Sequence, residues 1–415
     1  MTVVTAGHLS TCPRMLKAAD AFADAGYEVR VVCTRHEPWA TATDAAVVAT
    51  RRWRADVVDY RRGSGLTYWR SGARYHAARA IAARVRGDRL PFGVAARAFG
   101  RVHSELALLA AATPADLLYG GTSGALAATA QAADRLRAPF ALDLEDFHSG
   151  EASGADADLT PALATRVERA LLKRAAFLTT SSEAIADAYR DRYGVSAAVV
   201  TNTFPLPHQT PTFARNGAGG LRLYWFSQTI GPGRGLEDAV AAMGRAAIPG
   251  ELHLRGRPLN GYVEHLRAQS AAAAPTLRIV HHDPAPPDDM IALARGYDVG
   301  LALEQMDVLN RQLCLTNKAF IYIAAGVAVA LTDTPGQHAL GVDLGAGAAV
   351  VPPGDVDALA AAFRRWASDP SSLERAKRAA WDAAARRWHW EDAAERGALY
   401  RLVEGVVGPG EGSPE

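Results

Sequence analysis

The sequence predicts an α/β protein made of two doubly wound domains, and three observations carry that prediction. At 415 residues the chain is longer than one hydrophobic core supports, because cores stop growing at roughly 250 to 300 residues. Apolar runs of strand length alternate with amphipathic runs of helix length almost throughout, which is the pattern of βαβ units and a parallel sheet. Near the middle, NTFPLPHQTPTFARNGAGG (202–220) has the proline and glycine content of an interdomain linker. The predicted boundaries are residues 1–203 for the first domain, 204–220 for the linker, 221–388 for the second domain, 389–407 for a closing helix and 408–415 for a frayed tail.

Composition narrows the function classes. With 49% apolar residues and a formal net charge of +1, the chain is globular and exerts no global pull on nucleic acid. Charge is unevenly placed: residues 51–101 hold 13 Arg and 3 Asp, whereas 143–158 hold six acids and no Lys or Arg. The arginines serve either a solvated helical face or a grip on an anionic acceptor or a membrane surface, the latter as a peripheral contact. Cys12, Cys33 and Cys314 form neither a C-x-x-C pair nor an even framework, so a reduced, cytoplasmic setting is expected. The longest uncharged run, Ala319 to Thr332, has 14 residues, short of the roughly 20 that span a bilayer. The N-terminus enters a strand directly, without the basic leader and apolar core of a signal peptide.

Taken in order, Val3 to Thr5 is a strand, Pro13 to about Ala25 a helix opened by proline and stopped at Gly26, and Glu28 to Cys33 a second strand. Gly7, in the loop between the first strand and helix, is either a plain turn glycine or a place of close ligand approach. Residues 51–112 read as Arg-rich helices over Trp69–Arg86 and Phe92–Ala112. Alternation then resumes with strands at Asp116–Tyr119, Phe140–Leu142, Phe177–Thr180 and Ala198–Thr201. The helices between them cover Ala125–Leu136, Pro161–Arg174 and Glu183–Tyr193. One strand-end loop, DLEDFH (143–148), gathers three carboxylates and an imidazole, groups suited to acid or base work, although a loop histidine is as readily structural. Asp156 and Asp158 spell D-x-D, but without the strand context of a metal motif, so no metal site is expected.

In the second half, strand Leu221–Phe226 leads into SQTIGPGRG (227–235) and a helix from Leu236. Glycines at such a junction let backbone N–H groups approach phosphate, and Arg234 adds a cation. No G-x-G-x-x-G or G-K-[ST] occurs, which removes the main support for a dehydrogenase or a P-loop ATPase. The richest stretch runs from Asp298 to Gln337: strand Asp298–Leu303, a polar loop with Glu304, Asp307, Asn310 and Arg311, helix Thr316–Ala325, and strand Val327–Leu331. Thr316 and Asn317 suit a helix N-terminus, and Gly326 suits its end. A helix starting beyond the carboxyl end of a parallel strand aims free N–H groups at a crevice where an anion is stabilised.

LTNKAFIYIAAGVAVALTDTPGQ (315–337) resembles the nucleotide-sugar segment of GT-B glycosyltransferases, especially the retaining family 4 with its NK-F-Y-AAG-P-V pattern. TAGHLSTCPRMLKAADAFADAGYEVRVVCT resembles the opening of that family. DLEDFH is similar to its D-x-H-E segment, with Glu145 where relatives often carry histidine, and the glycine junction is similar to its G-R-x-x-x-K-G segment, departing at Ser227 and Gln228. Trp388 and Trp390 resemble the lead into a last helix that crosses back to the first domain. Ile321 stands where many relatives hold the nucleotide ribose with a carboxylate.

The resemblance implies a GT-B fold of two Rossmann-like domains facing a central cleft, and a metal-independent, retaining, hexosyltransferase-type reaction. It needs no cofactor beyond a nucleotide-diphosphate sugar as co-substrate, with a small molecule or glycan as acceptor. Gly7, Gly233, Arg234, Gly235, Thr316, Asn317 and Lys318 would meet the donor, and Glu304 would orient its sugar hydroxyls. Under inversion, Glu145, Asp146 or His148 would be the base. A nucleotide-sugar epimerase on the same fold, or a nucleotide-binding protein that has lost turnover, remains the alternative.

Overall fold

Seven parallel strands form the sheet of the first unit: β1 (Thr2–Thr5), β2 (Arg30–Arg35), β3 (Arg54–Asp59), β4 (Leu118–Gly121), β5 (Phe140–Leu144), β6 (Leu178–Thr180) and β7 (Ala198–Val199). They lie in the order β3-β2-β1-β4-β5-β6-β7. In this computed structural model, which describes residues 1–85, 87–151, 159–217 and 219–410, the unit comprises residues 1–200 together with the final helix, Arg396–Val407. Strands β4, β5 and β6 are buried at every position because helices cover both faces of the sheet, and their near-continuous apolar sequence follows from that. The order reverses between β1 and β4, so the loops leaving those two strands part and open a crevice at their carboxyl ends.

The second unit, Thr201–Glu395, repeats the plan with β8 (Leu221–Ile230), β9 (Gly250–Pro258), β10 (Leu277–His282), β11 (Val299–Ala302), β12 (Ala328–Thr332) and β13 (Ala348–Val351), all parallel. The order β10-β9-β8-β11-β12-β13 places its own reversal between β8 and β11. The proline- and glycine-rich stretch read as a linker is tied along this unit. Phe213 is buried, Asn216 donates its backbone N–H to Asp298 Oδ1 (2.8 Å) and its side-chain amide to Tyr297 O (2.7 Å), and Lys377 Nζ donates to Ala214 O (2.9 Å). Asp298 and Lys377 are themselves buried, 3.8 Å apart. Trp390 packs in the same unit, with its backbone N–H on Phe204 O.

Several elements differ from the sequence reading. The stretch after β2 holds a further helix, Pro38–Ala49, and strand β3, neither of which stands out in a segment dominated by Ala, Thr and Arg. The first Arg-rich helix runs Leu66–Ala82, and the second is two helices, Phe92–Phe99 and His103–Ala110. The break falls at Gly100, where an added Cβ would lie 2.7 Å from Gly124 O, so the backbones of two loops meet there. Strand β8 continues past Phe226 to Ile230 through a register shift. The loop after β11 contains a short helix, Leu309–Leu313, and a further helix spans His338–Leu344. The final helix runs Arg396–Val407, starting later than the 389 expected for it.

Asp143, first of the acidic-loop residues, is a structural group. Arg14 Nε and Nη2 donate to its two oxygens at 2.6 and 2.8 Å, Thr179 Oγ1 donates at 2.6 Å, and Tyr119 OH bonds Thr179 Oγ1 at 2.8 Å. Arg14 also donates to the carbonyls of Thr180 and Val200, which ties β5, β6 and the chain beyond β7 to the helix that follows β1. Both charges are buried, so each is costly without the other. Replacing Asp143 by Ala is expected to lower unfolding free energy by about 3–5 kcal/mol in urea titration, the cost of leaving a buried guanidinium unpaired.

Candidate active site

At the strand-order reversal of the second unit, the loops after β8 and β11 bring two cations onto one carboxylate. The turn after β8 runs through Gly233 and Gly235 at φ values of 72° and 67°, a region that favours glycine. At Gly235 a side chain would also collide with Leu303, because an added Cβ would lie 2.5 Å from Leu303 Cβ. Between these glycines, Arg234 extends Nη1 to within 3.5 Å of Glu304 Oε2. Lys318 Nζ approaches the other oxygen, Oε1, at 3.1 Å. Glu304 is only 5% exposed. Burial alone would raise its pKa, but Lys318 first and Arg234 second outweigh that and hold the carboxyl below its ordinary value.

The surroundings fix this group. Thr332 Oγ1 donates to Glu304 O at 2.8 Å, and Gln337 Nε2 donates to Ala302 O at 3.2 Å, so the end of β11 is pinned from β12 and the loop beyond it. Lys318 Nζ lies 5.5 Å from the centroid of the buried Trp225 ring. Arg311 Nη1 donates to Gly233 O at 2.8 Å and pairs with Asp307 at 3.2 Å, which braces the glycine turn against the loop after β11. Much of the polar loop therefore holds the site in shape.

Helix Asn317–Ala324 starts beside the same carboxylate. Thr316 occupies the N-cap position as expected, but its hydroxyl makes no capping bond and instead accepts from Lys318 Nζ at 3.2 Å. The N-cap side chain therefore leaves the first N–H groups of this helix uncapped, and its positive dipole end lies beside Lys318. Ile321 is buried in an apolar cluster with Phe320, Tyr322 and Leu340.

The first unit has a pocket at its own reversal point, about 250 Å³ in volume, lined by Gly7 after β1, Thr122 and Ser123 after β4, Tyr60 and Arg101. Gly7 is close-packed as well, since an added Cβ would lie 2.5 Å from Cys12 Sγ. Glu145 and His148 do not line this pocket. The neighbouring residue His8 passed unremarked in the sequence. It is buried, with Nδ1 2.6 Å from Asp44 Oδ2 and Nε2 accepting from the backbone N–H groups of His36 and Glu37. Its partner lies on the one helix of this region that the pattern did not reveal.

Residues 13–203 match the family described as the glycosyl transferase 4-like domain. Over the whole chain the fold is that of Anabaena HepE, solved in complex with UDP and glucose (TM-score 0.67, 15% identity, 98% of this chain and 99% of that one). Sucrose-phosphate synthase from Thermosynechococcus elongatus is similar to the same degree (TM-score 0.66, 15% identity, 97% and 99%). So is TarM from S. aureus, in complex with UDP (TM-score 0.65, 8% identity, 98% and 99%). The chain has the GT-B fold. At these identities the structural likeness fixes the fold, and the family match is confined to residues 13–203 of the first unit. No curated protein matched the sequence.

The structure gathers the sequence-predicted residues into two groups. Gly233, Arg234, Gly235, Glu304, Thr316, Asn317 and Lys318 come together in the second unit. Gly7, Glu145 and His148 lie in the first. His148 is buried, and its Nδ1 lies 3.0 Å from Glu151 Oε1. Burial opposes the charged form, but Glu151, then Glu168 and Asp146, overcome it and raise the imidazole pKa to about 9. A histidine held as a cation at neutral pH is a poor base, so this geometry does not favour the role expected of it under inversion. Glu145 is half-buried, and its backbone carbonyl accepts from Ser181 Oγ. Asp156 and Asp158 lie outside the described residues.

Two pH dependences follow. The carboxyl of Glu304 titrates below its unfolded value in the folded state, so its contribution is complete above about pH 4.5 and disappears as pH falls through the folded value. Glu304→Gln is expected to be less stable than the wild type by about 3 kcal/mol at neutral pH, a gap that narrows toward acid in urea titrations across pH. His148 has the opposite sign: its contribution is full below about 6.5 and is lost as pH rises through about 9. Glu151→Gln is expected to weaken that alkaline loss, followed by thermal unfolding from pH 6 to pH 10.

Proposed function

We propose that this protein is a glycosyltransferase that moves a sugar from a nucleotide-diphosphate sugar to an acceptor with retention and without a metal ion, and that its second unit holds the donor. The observation that carries the reading is the convergence of Arg234 and Lys318 on Glu304, beside an uncapped helix N-terminus at a strand-order reversal. Cleaving the bond between sugar and diphosphate leaves negative charge on the departing phosphate. Fixed cations and a helix dipole stabilise that charge more as it develops, which is what lowers the barrier. Lys318 is buried and held by Glu304 and Thr316, so it is ordered before the donor arrives. Arg234 is about one-third exposed and loosely paired, so it is the cation free to turn onto a phosphate.

Glu304 takes two roles in this reading. It keeps the two cations apart and in place, and its carboxylate accepts from donor sugar hydroxyls. The buried Ile321 cannot hydrogen-bond a ribose, so nucleotide affinity rests more heavily on the diphosphate contacts. HepE in complex with UDP-glucose, on the same fold, supports UDP as the first nucleotide to try. The test is a thermal-shift panel of UDP, GDP, dTDP and ADP. A ligand at 100 times its Kd adds about 2.7 kcal/mol of stability, and Arg234→Ala is expected to cut the shift while leaving the unliganded Tm near the wild-type value. A full shift in the variant would remove Arg234 from the site, and conversion of the donor by NMR in the absence of any acceptor would favour an epimerase instead.

A further inference from the structure

In the Arg-rich segment of the first unit, Arg101 is distinguished by the two tyrosine rings that hold it and by the pocket it lines. Arg35 and Arg61 share Asp59, Arg51 pairs with Asp20, and Arg74 pairs with Glu105. Arg101 has no carboxylate partner among the described residues. Its guanidinium is held by neutral groups: Nε donates to Ser71 Oγ (3.4 Å) and Nη2 to Tyr68 O (3.0 Å). The ring of Tyr68 lies 4.6 Å away and that of Tyr60 5.3 Å away. Tyr60 is in turn stacked on His36 at 5.1 Å. Two of the five guanidinium N–H donors are engaged, and the group is oriented without being neutralised.

This half-buried cation lines the 250 Å³ pocket that opens where the strand order of the first sheet reverses. A concave site with one fixed, uncompensated guanidinium is built to receive an anion, and Arg favours the two-oxygen edge of a carboxylate or phosphate. Thr122 and Ser123 supply hydroxyls on the same lining. Thr122 is held at φ 72°, an unusual conformation for a β-branched residue, and its Oγ1 accepts from the Ala6 N–H at 3.0 Å. The volume lies below the roughly 300–1,000 Å³ of pockets for drug-sized ligands, which fits a single sugar-sized ring better than a long glycan.

We propose that this pocket binds the acceptor, and that the acceptor is a monosaccharide-sized polyol bearing a carboxylate or phosphate that sits against Arg101. The proposal rests on the reading that the donor diphosphate is held in the second unit, and the test separates the two. Glucuronate, glucose 6-phosphate and glucose are titrated into the full-length protein by calorimetry, with no donor present. At least one of the acids is expected to bind tenfold or more tighter than glucose, and the acid that does so distinguishes carboxylate from phosphate. Arg101→Gln is expected to erase that margin, and Arg101→Lys, which keeps the charge but not the fork, to retain part of it. Equal binding of glucose and both acids, no binding of either acid, or an undiminished margin in Arg101→Gln overturns the proposal. The UDP thermal shift is measured on the same variants. Its loss in Arg101→Gln would mean that the pocket takes the nucleotide phosphates, which overturns the proposal. A UDP shift unaffected by Arg234→Ala, with acid binding still dependent on Arg101, would sink the donor reading alone.

Discussion

A carboxylate buried at the end of a short parallel strand organises the second unit of this GT-B protein. Glu304 remains ionised because Lys318 and Arg234 flank it, and those cations keep their places because Glu304 lies between them. Neither Glu304 nor Lys318 would be tolerated in that setting singly, since an isolated buried charge costs far more than packing returns. Such a cluster is poor evidence for added stability. It is better evidence for positioning: the residual charge is positive, directional and in place before a ligand comes.

The topology decides where that charge can be used. In both units the strand order turns back at the first strand, and the loops on either side of the turn carry the polar groups that the helices and strands cannot accommodate. In the second unit these are the glycine turn with Arg234 and the loop from Glu304 onward. In the first they are the Gly7 loop and the Thr122–Ser123 turn. Two sheets of the same order thus yield two sites of different chemistry, one built around paired cations and a helix end, the other around a stacked arginine.

Much of this was legible in the sequence. The alternation of apolar runs marked nearly all the strands, and the pairing of glycine junctions with polar strand ends marked Gly233, Arg234, Gly235, Glu304 and Lys318. The failures have physical causes. The helix Pro38–Ala49 and strand β3 carry few large apolar residues, so periodicity gave them no outline. The acidic loop looked like one chemical unit, but in space Asp143 serves Arg14 and His148 serves Glu151, because a charge that folds inward takes whatever partner the tertiary structure supplies. Arg101 was lost among thirteen arginines. What sets it apart is its place between two tyrosine rings on the wall of a pocket, and no linear pattern encodes that.

Strand β11 is only four residues long, yet a buried carboxylate stands immediately outside it at one end and two residues beyond it at the other: Asp298, held by Lys377 and Asn216, and Glu304, held by Lys318 and Arg234. A slip of one position in a parallel sheet turns every side chain to the opposite face. Here it would also pull two anions off their cations and strand them among Leu, Val and Tyr side chains. The alignment of this strand is thus secured by charge at both margins as well as by apolar packing, much as a plank is kept from sliding by a peg at each end.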